Sequence, residues 1–184
     1  MNMEWKGVMP AITTCFDESL NIDHEFTAKH VSWLVDNGGT GIVTNGSLGE
    51  GGTFTIEEKV ALWKTCVEAV GGRVPIVAAI ASMTTADACA QAVEAQSSGC
   101  SGLMVLPPYI YRGDWPEMKY HISQVVRSTS LSCMLYNNPI AYGTDFLPEQ
   151  IKELADELPN LHAVKESSTD VRRVTSIRAL CGER

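Results

Sequence analysis

Lys165 closes an apolar run, Leu161-His162-Ala163-Val164-Lys165, and is followed by Glu166-Ser167-Ser168. An ammonium at the end of a buried strand is costly. Desolvation lowers an amine's pKa and frees its neutral form to attack a carbonyl. Lys165 is therefore a candidate nucleophile for imine chemistry. The plain alternative is a lysine whose head reaches solvent or pairs with Glu166. Tyr136, in Leu135-Tyr136-Asn137-Asn138-Pro139, ends another apolar run. A tyrosine there can relay a proton; the alternative is a rim tyrosine that caps the core. The third candidate is the stretch Asn45-Gly46-Ser47-Leu48-Gly49-Glu50-Gly51-Gly52. Its glycines let backbone approach a ligand, its N–H groups can hold a carboxylate or phosphate, and Ser47 adds a hydroxyl. The alternative is an ordinary connection before a helix. Combined, the three make one workable site for a 2-oxo acid. The loop holds the carboxylate, Lys165 condenses with the ketone, and Tyr136 moves protons through carbinolamine and imine.

The elements that must position these groups repeat along the chain. Strand candidates begin near Val8, Gly41, Val74, Gly102, Leu131 and Leu161. The step is about 30 residues, the size of a βα unit. The runs are continuously apolar, as strands buried on both faces of a parallel sheet are. Between them, Val60, Trp63, Val67 and Val70 recur at helical spacing, as do Leu147, Ile151, Leu154 and Leu158. Asp23 and Thr55 predict helix N-caps, with Glu58 completing a capping box, and Gly71-Gly72 predicts a stop. Such units in series build either a doubly wound sheet or a TIM barrel of eight units. The regular spacing favours the barrel. The first strand-to-helix turn, Cys15-Phe16-Asp17-Glu18, holds no GxGxxG to cradle a pyrophosphate. The expectation is one domain over residues 1–184 carrying about the first six units of a (β/α)8 barrel, inactive by itself if it is a fragment.

Composition narrows the function class. The chain has 184 residues, 45% hydrophobic and 20% charged, with a formal net charge of −8. That balance opposes a nucleic-acid surface or an anionic membrane. The six cysteines are scattered, with no CxxC pair, and read as free thiols in a reducing cytosol. The four histidines show no metal-ligand spacing. No signal peptide is legible at the N-terminus, so a cytoplasmic location is expected.

At these motifs the chain resembles the dihydrodipicolinate synthase / N-acetylneuraminate lyase family of class I aldolases, from Gly7 to Arg184. The family's carboxylate loop is matched by Gly46-Ser47-Leu48-Gly49-Glu50, its Y-N-x-P tyrosine by Tyr136, and its Schiff-base lysine by Lys165-Glu166. Its P-x-Y segment is matched by Pro107-Pro108-Tyr109. The resemblance implies catalytic roles for Lys165, Tyr136, Ser47 and Tyr109. It implies substrate binding by Gly46, Ser47, Leu48 and Gly49. It implies no cofactor or metal beyond the covalent imine through Lys165, and a homodimer or homotetramer. Tyr109 would then complete a Ser–Tyr–Tyr relay in a neighbouring subunit. Two departures matter. Leu48 replaces the loop's second hydroxyl, and Ala141 stands where true dihydrodipicolinate synthases carry an arginine for the second substrate's carboxylate.

The leading reading is a Schiff-base lyase acting on a 2-keto-3-deoxy sugar acid or related 2-oxo acid. The first alternative is dihydrodipicolinate synthase itself, joining pyruvate to aspartate semialdehyde. The second is a non-catalytic barrel that binds 2-oxo acids. A phosphate- or nucleotide-binding open sheet has no fingerprint to support it.

Overall fold

The computed structural model describes residues 3–182. Five strands form one parallel sheet: β1 (Ile42–Thr44), β2 (Ile76–Ile80), β3 (Gly102–Val105), β4 (Ser132–Asn137) and β5 (Leu161–Glu166). Their order in space is their order in sequence. A doubly wound sheet reverses direction at a switch point. This one does not, which is the winding of a barrel wall. The connections are α1 (His24–Asp36), α2 (Ile56–Val70), α3 (Thr85–Ser97), α4 (Trp115–Arg127), a short α5 (Pro139–Tyr142) and α6 (Pro148–Glu157), with α7 (Arg172–Cys181) after β5. Among the described residues no helix is long and apolar enough to cross a membrane.

The strand expected near Val8 is reduced to a single parallel bridge, Ala11 to Val43. The segment still lies against β1, because Thr40 N–H bonds Val8 O and Val43 N–H bonds Pro10 O. Pro10 has no N–H to give, so the ladder cannot run on. Five regular strands and one bridge therefore stand where six strands were expected.

The helix signals correspond to local hydrogen bonds. Asp23 accepts from Phe26 N–H at 2.8 Å. Thr55 and Glu58 form both halves of a capping box, and Gly71 ends α2 at φ 56°. Trp63, Val70, Ile151, Leu154 and Leu158 are buried, whereas Leu147 caps α6 from an exposed position.

The sheet separates two apolar clusters. Ile76, Ala78, Ile80, Leu103, Val105, Cys133 and Leu135 face the helices. Val43, Val77, Ala79, Met104 and Leu106 form a second, smaller cluster on the opposite face, where Trp5, Met9, Met134, Tyr136 and Tyr142 pack. The period of two along each strand assigns that second face to the barrel interior.

Candidate active site

Tyr136 and Lys165 are register partners on β4 and β5, both near the C-terminal ends. Alternation turns both toward the interior, beside Met134 and Ala163. Lys165 Nζ lies 4.2 Å from the centroid of the Tyr136 ring. The ring's negative face attracts a cation there. Lys165 is half-buried. Glu166, one residue on, engages different partners. Its Oε2 accepts from Asn137 Nδ2 at 3.0 Å and its Oε1 from Ser168 N–H at 2.6 Å. The carboxylate that was the simplest alternative partner of Lys165 is thus engaged elsewhere.

Asn137 ties the two strand ends together. It is fully buried. Its Nδ2 also approaches Asp145 Oδ1 at 3.2 Å and Phe146 O at 3.3 Å, and its Oδ1 accepts from Phe146 N–H at 3.0 Å. Asp145 in turn binds Arg173 through two bonds of 2.5 and 2.6 Å. The Arg173 guanidinium holds the Asp145 carboxyl below its ordinary range, helped by Asn137 and opposed by burial. The network fixes the backbone that carries Tyr136 and Lys165.

The glycine loop after β1 folds into a 3-10 turn, Ser47–Gly49. Gly49 and Gly51 donate to Gly46 O, and Glu50 donates to Ser47 O. No backbone acceptor among the described residues takes the N–H of Ser47 or Leu48. Those two donors are available to a carboxylate. The Leu48 side chain is 82% exposed and adds only its backbone. A Cβ at Gly52 would stand 2.9 Å from the Tyr109 hydroxyl, so glycine admits that close approach.

The hydroxyl contacts differ from the expected relay. Ser47 Oγ pairs with the Tyr142 hydroxyl, a residue that motif reading passed over. The Tyr136 hydroxyl accepts from Asn138 Nδ2 at 3.0 Å. Tyr142 stands edge-on to Tyr136, with ring centroids 5.7 Å apart and planes at 80°. Burial pushes the Tyr142 hydroxyl above its ordinary pKa, and the bond to Ser47 opposes the rise. Tyr109 approaches Gly52 of its own chain. Ala141, on α5, is exposed, and its N–H donates to Asn138 Oδ1 at 3.2 Å. The one sequence signal for Tyr142 was its place just before Gly143, which ends α5 at φ 72°.

A cavity of about 330 Å³ opens beside this loop, lined by residues that include Asn45, Ser47, Glu50, Thr53, Tyr109 and Tyr142. A larger one, about 500 Å³, runs along the outer edge of β5 between Trp5, His162 and Arg178. The smaller cavity adjoins the glycine loop and the larger does not; Lys165 lines neither.

Lys59 is another buried amine. Burial lowers its pKa, and its Nζ bonds Gln91 Oε1 at 3.0 Å between α2 and α3. It sits in the helix layer, away from the interior face. The six cysteines are free; Cys66, Cys100 and Cys133 are buried, and burial pushes their thiols up to about 12.

These features have close counterparts in known proteins. The 4-hydroxy-tetrahydrodipicolinate synthase of Desulforamulus reducens is 34% identical over 181 residues, 98% of this chain and 61% of the relative. That of Bacillus subtilis is 34% identical over 96% of this chain and 61% of the relative. The crystal structure of a dihydrodipicolinate synthase from Bacillus anthracis superposes with a TM-score of 0.94 at 33% identity, covering 98% of this chain and 62% of that one. A prophage protein of the same family from E. coli K12, solved in complex with pyruvate, superposes with a TM-score of 0.92 at 27% identity, covering 96% and 59%. The chain thus spans about 61% of the length of the curated relatives it matches, and carries the matching part of a (β/α)8 barrel. The profile of the Dihydrodipicolinate synthetase family matches residues 4–184, and the chain belongs to that family.

Proposed function

We propose that the chain is part of a lyase that binds a small 2-oxo acid as an imine of Lys165. The observation that carries this reading is the Lys165 amine over the Tyr136 ring, on adjacent strand ends at the interior face. The Ser47 and Leu48 N–H groups would hold the substrate carboxylate. The Lys165 amine adds to C2 of the substrate. Tyr136 carries a proton from nitrogen to the alkoxide to give the carbinolamine, then donates a second proton, replaced from solvent, so that the hydroxyl leaves as water and the protonated imine remains. The resulting iminium accepts the electron pair of a bond broken next to C3, which permits aldol cleavage or loss of a hydroxyl. Hydrolysis then frees the lysine. The imine is the electron sink, so this chemistry calls on no further cofactor. The reading extends to a homodimer or homotetramer on the strength of the family resemblance, and to the cytoplasm on the lack of a legible signal peptide in the sequence.

The second substrate has two readings. The names of the relatives favour the synthase reaction, pyruvate with aspartate semialdehyde, over a sugar-acid reaction. Ala141 favours the opposite. A carboxylate taken into a desolvated site calls for a bidentate arginine, which alanine cannot replace. A substrate panel on the intact protein separates them. If aspartate semialdehyde condensation outruns every sugar-acid and imino-acid reaction, the synthase reading holds and the argument from Ala141 fails. Absence of any turnover would leave a binding barrel. Lys165→Ala is expected to abolish turnover, and Tyr136→Phe to slow it about 100-fold or more while substrate still binds.

A further inference from the structure

Asn138 stands at the N-cap of α5, and its side chain makes two bonds. Its Oδ1 accepts from Ala141 N–H at 3.2 Å, and its Nδ2 donates to the Tyr136 hydroxyl oxygen at 3.0 Å. The first bond fixes the sense of the second. A backbone N–H can only donate, so the amide oxygen must face Ala141 and the amide nitrogen must face the tyrosine. Among the described residues this is the only hydrogen bond that the Tyr136 hydroxyl makes. The phenol oxygen is an acceptor here, and its own proton is left for another group.

Capping alone does not call for asparagine. Aspartate caps a helix about as well and glycine nearly so, and neither has an N–H to offer from a side chain. The donor has a consequence for the chemistry. In the dehydration step a proton moves from Tyr136 Oη to the carbinolamine hydroxyl and the C–O bond breaks. Water departs, the nitrogen lone pair closes the C=N bond, and solvent returns a proton to the phenolate. While the phenolate exists, the Asn138 N–H bonds to a charge, and such bonds are about twice as strong as neutral ones. An interaction that strengthens during the reaction raises its rate rather than the affinity for substrate. The same cap begins the four-residue helix whose last residue, Tyr142, pairs with Ser47.

We propose that Asn138 is a positioning residue for proton transfer. Through Nδ2 it holds the Tyr136 hydroxyl as an acceptor, leaves that hydroxyl's proton for the reacting oxygen, and stabilises the phenolate that the transfer produces. The proposal rests on the Schiff-base reading above.

The test is the rate at which the intact protein forms borohydride-trapped adduct with pyruvate, read against pyruvate concentration. Wild type is compared with Asn138→Asp, which keeps the acceptor for Ala141 N–H, and with Asn138→Gly, which removes the side chain at small cost to the cap. In both variants the limiting rate is expected to fall about tenfold or more, while half-saturating pyruvate moves by less than about threefold. Asn138→Asp should fall further, because its carboxylate opposes the phenolate. In a Tyr136→Phe background, adding Asn138→Gly is expected to slow adduct formation by less than about twofold, since the hydroxyl it acts through is gone. A wild-type rate in Asn138→Asp would reduce the residue to a cap and overturn the proposal. An equal fall with and without the Tyr136 hydroxyl would overturn the route through Tyr136. Absence of adduct in wild type would strike the Schiff-base reading itself, and this proposal with it.

Discussion

The two ends of the sheet finish their strands in opposite ways. At β4 and β5, Asn137 and Glu166 are bonded to each other, to Asp145 and to backbone. After β1, Asn45 is buried with both amide atoms unpaired, and the buried Thr44 Oγ1 beside it has no partner either. A saturated cluster has nothing left for a ligand and can only hold geometry. An unsaturated one holds little, and keeps its hydrogen-bonding capacity for something that arrives. The proposed catalytic pair, Tyr136 and Lys165, sits on the saturated side, where fixed placement would matter most for attack on a carbonyl.

The sharpest way to break this contrast is Asn137→Ala. It removes the bonds of a fully buried amide and leaves Phe146 N–H without its acceptor. The expected loss is about 3 kcal/mol in urea unfolding of the intact protein, with the slope unchanged. A loss under about 1 kcal/mol would mean that the network does not hold the strand ends.

A smaller effect is expected from pH. Arg173 holds the Asp145 carboxyl below its ordinary value in the folded protein. A depressed carboxyl stabilises above its unfolded pKa, about 3.9, and that contribution is lost as pH falls toward the folded value. The pair is partly exposed, with side-chain accessibilities of 18% and 34%. Solvent screening therefore limits its worth to about 1 kcal/mol. Asp145→Asn should flatten the stability profile below about pH 4 and leave its slope near neutrality unchanged. An acid limb identical to wild type would remove Asp145 from the account.

The smallest effect belongs to the unsaturated side. Asn45→Gly removes an unpaired amide and eases a left-handed backbone, against the entropy of an added glycine. These terms offset, so stability should change by under about 1 kcal/mol. A loss as large as that of Asn137→Ala would make Asn45 a structural residue and erase the contrast.

What was legible in the sequence was what local pattern encodes. The positions of β2 to β5 follow from apolar runs, and the caps at Asp23, Thr55 and Gly71 follow from one or two residues each. The run at Val8 reads as a strand by hydrophobicity, but Pro10 within it removes the donor that a ladder needs. Lys165 and Tyr136 were legible because each ends an apolar run, and parallel register then makes them neighbours. The partner of Ser47 was not, because Tyr142 lies 95 residues away and reaches it through a short helix that no periodicity announces. Asn137 posed the same difficulty. Its partners Asp145 and Glu166 are brought to it by tertiary folding, and nothing in the Tyr136-Asn137-Asn138-Pro139 run marks which asparagine is buried.

The most direct measurement is to treat the intact protein with pyruvate and borohydride, digest it, and locate the reduced adduct by peptide mass. The account predicts a single modified lysine, Lys165, and no adduct in Lys165→Ala. Lys59, an amine whose pKa is lowered by burial, should stay unlabelled because it lies between helices, bonded to Gln91. An adduct on Lys59 or any other lysine in place of Lys165, or undiminished labelling of Lys165→Ala, would contradict it.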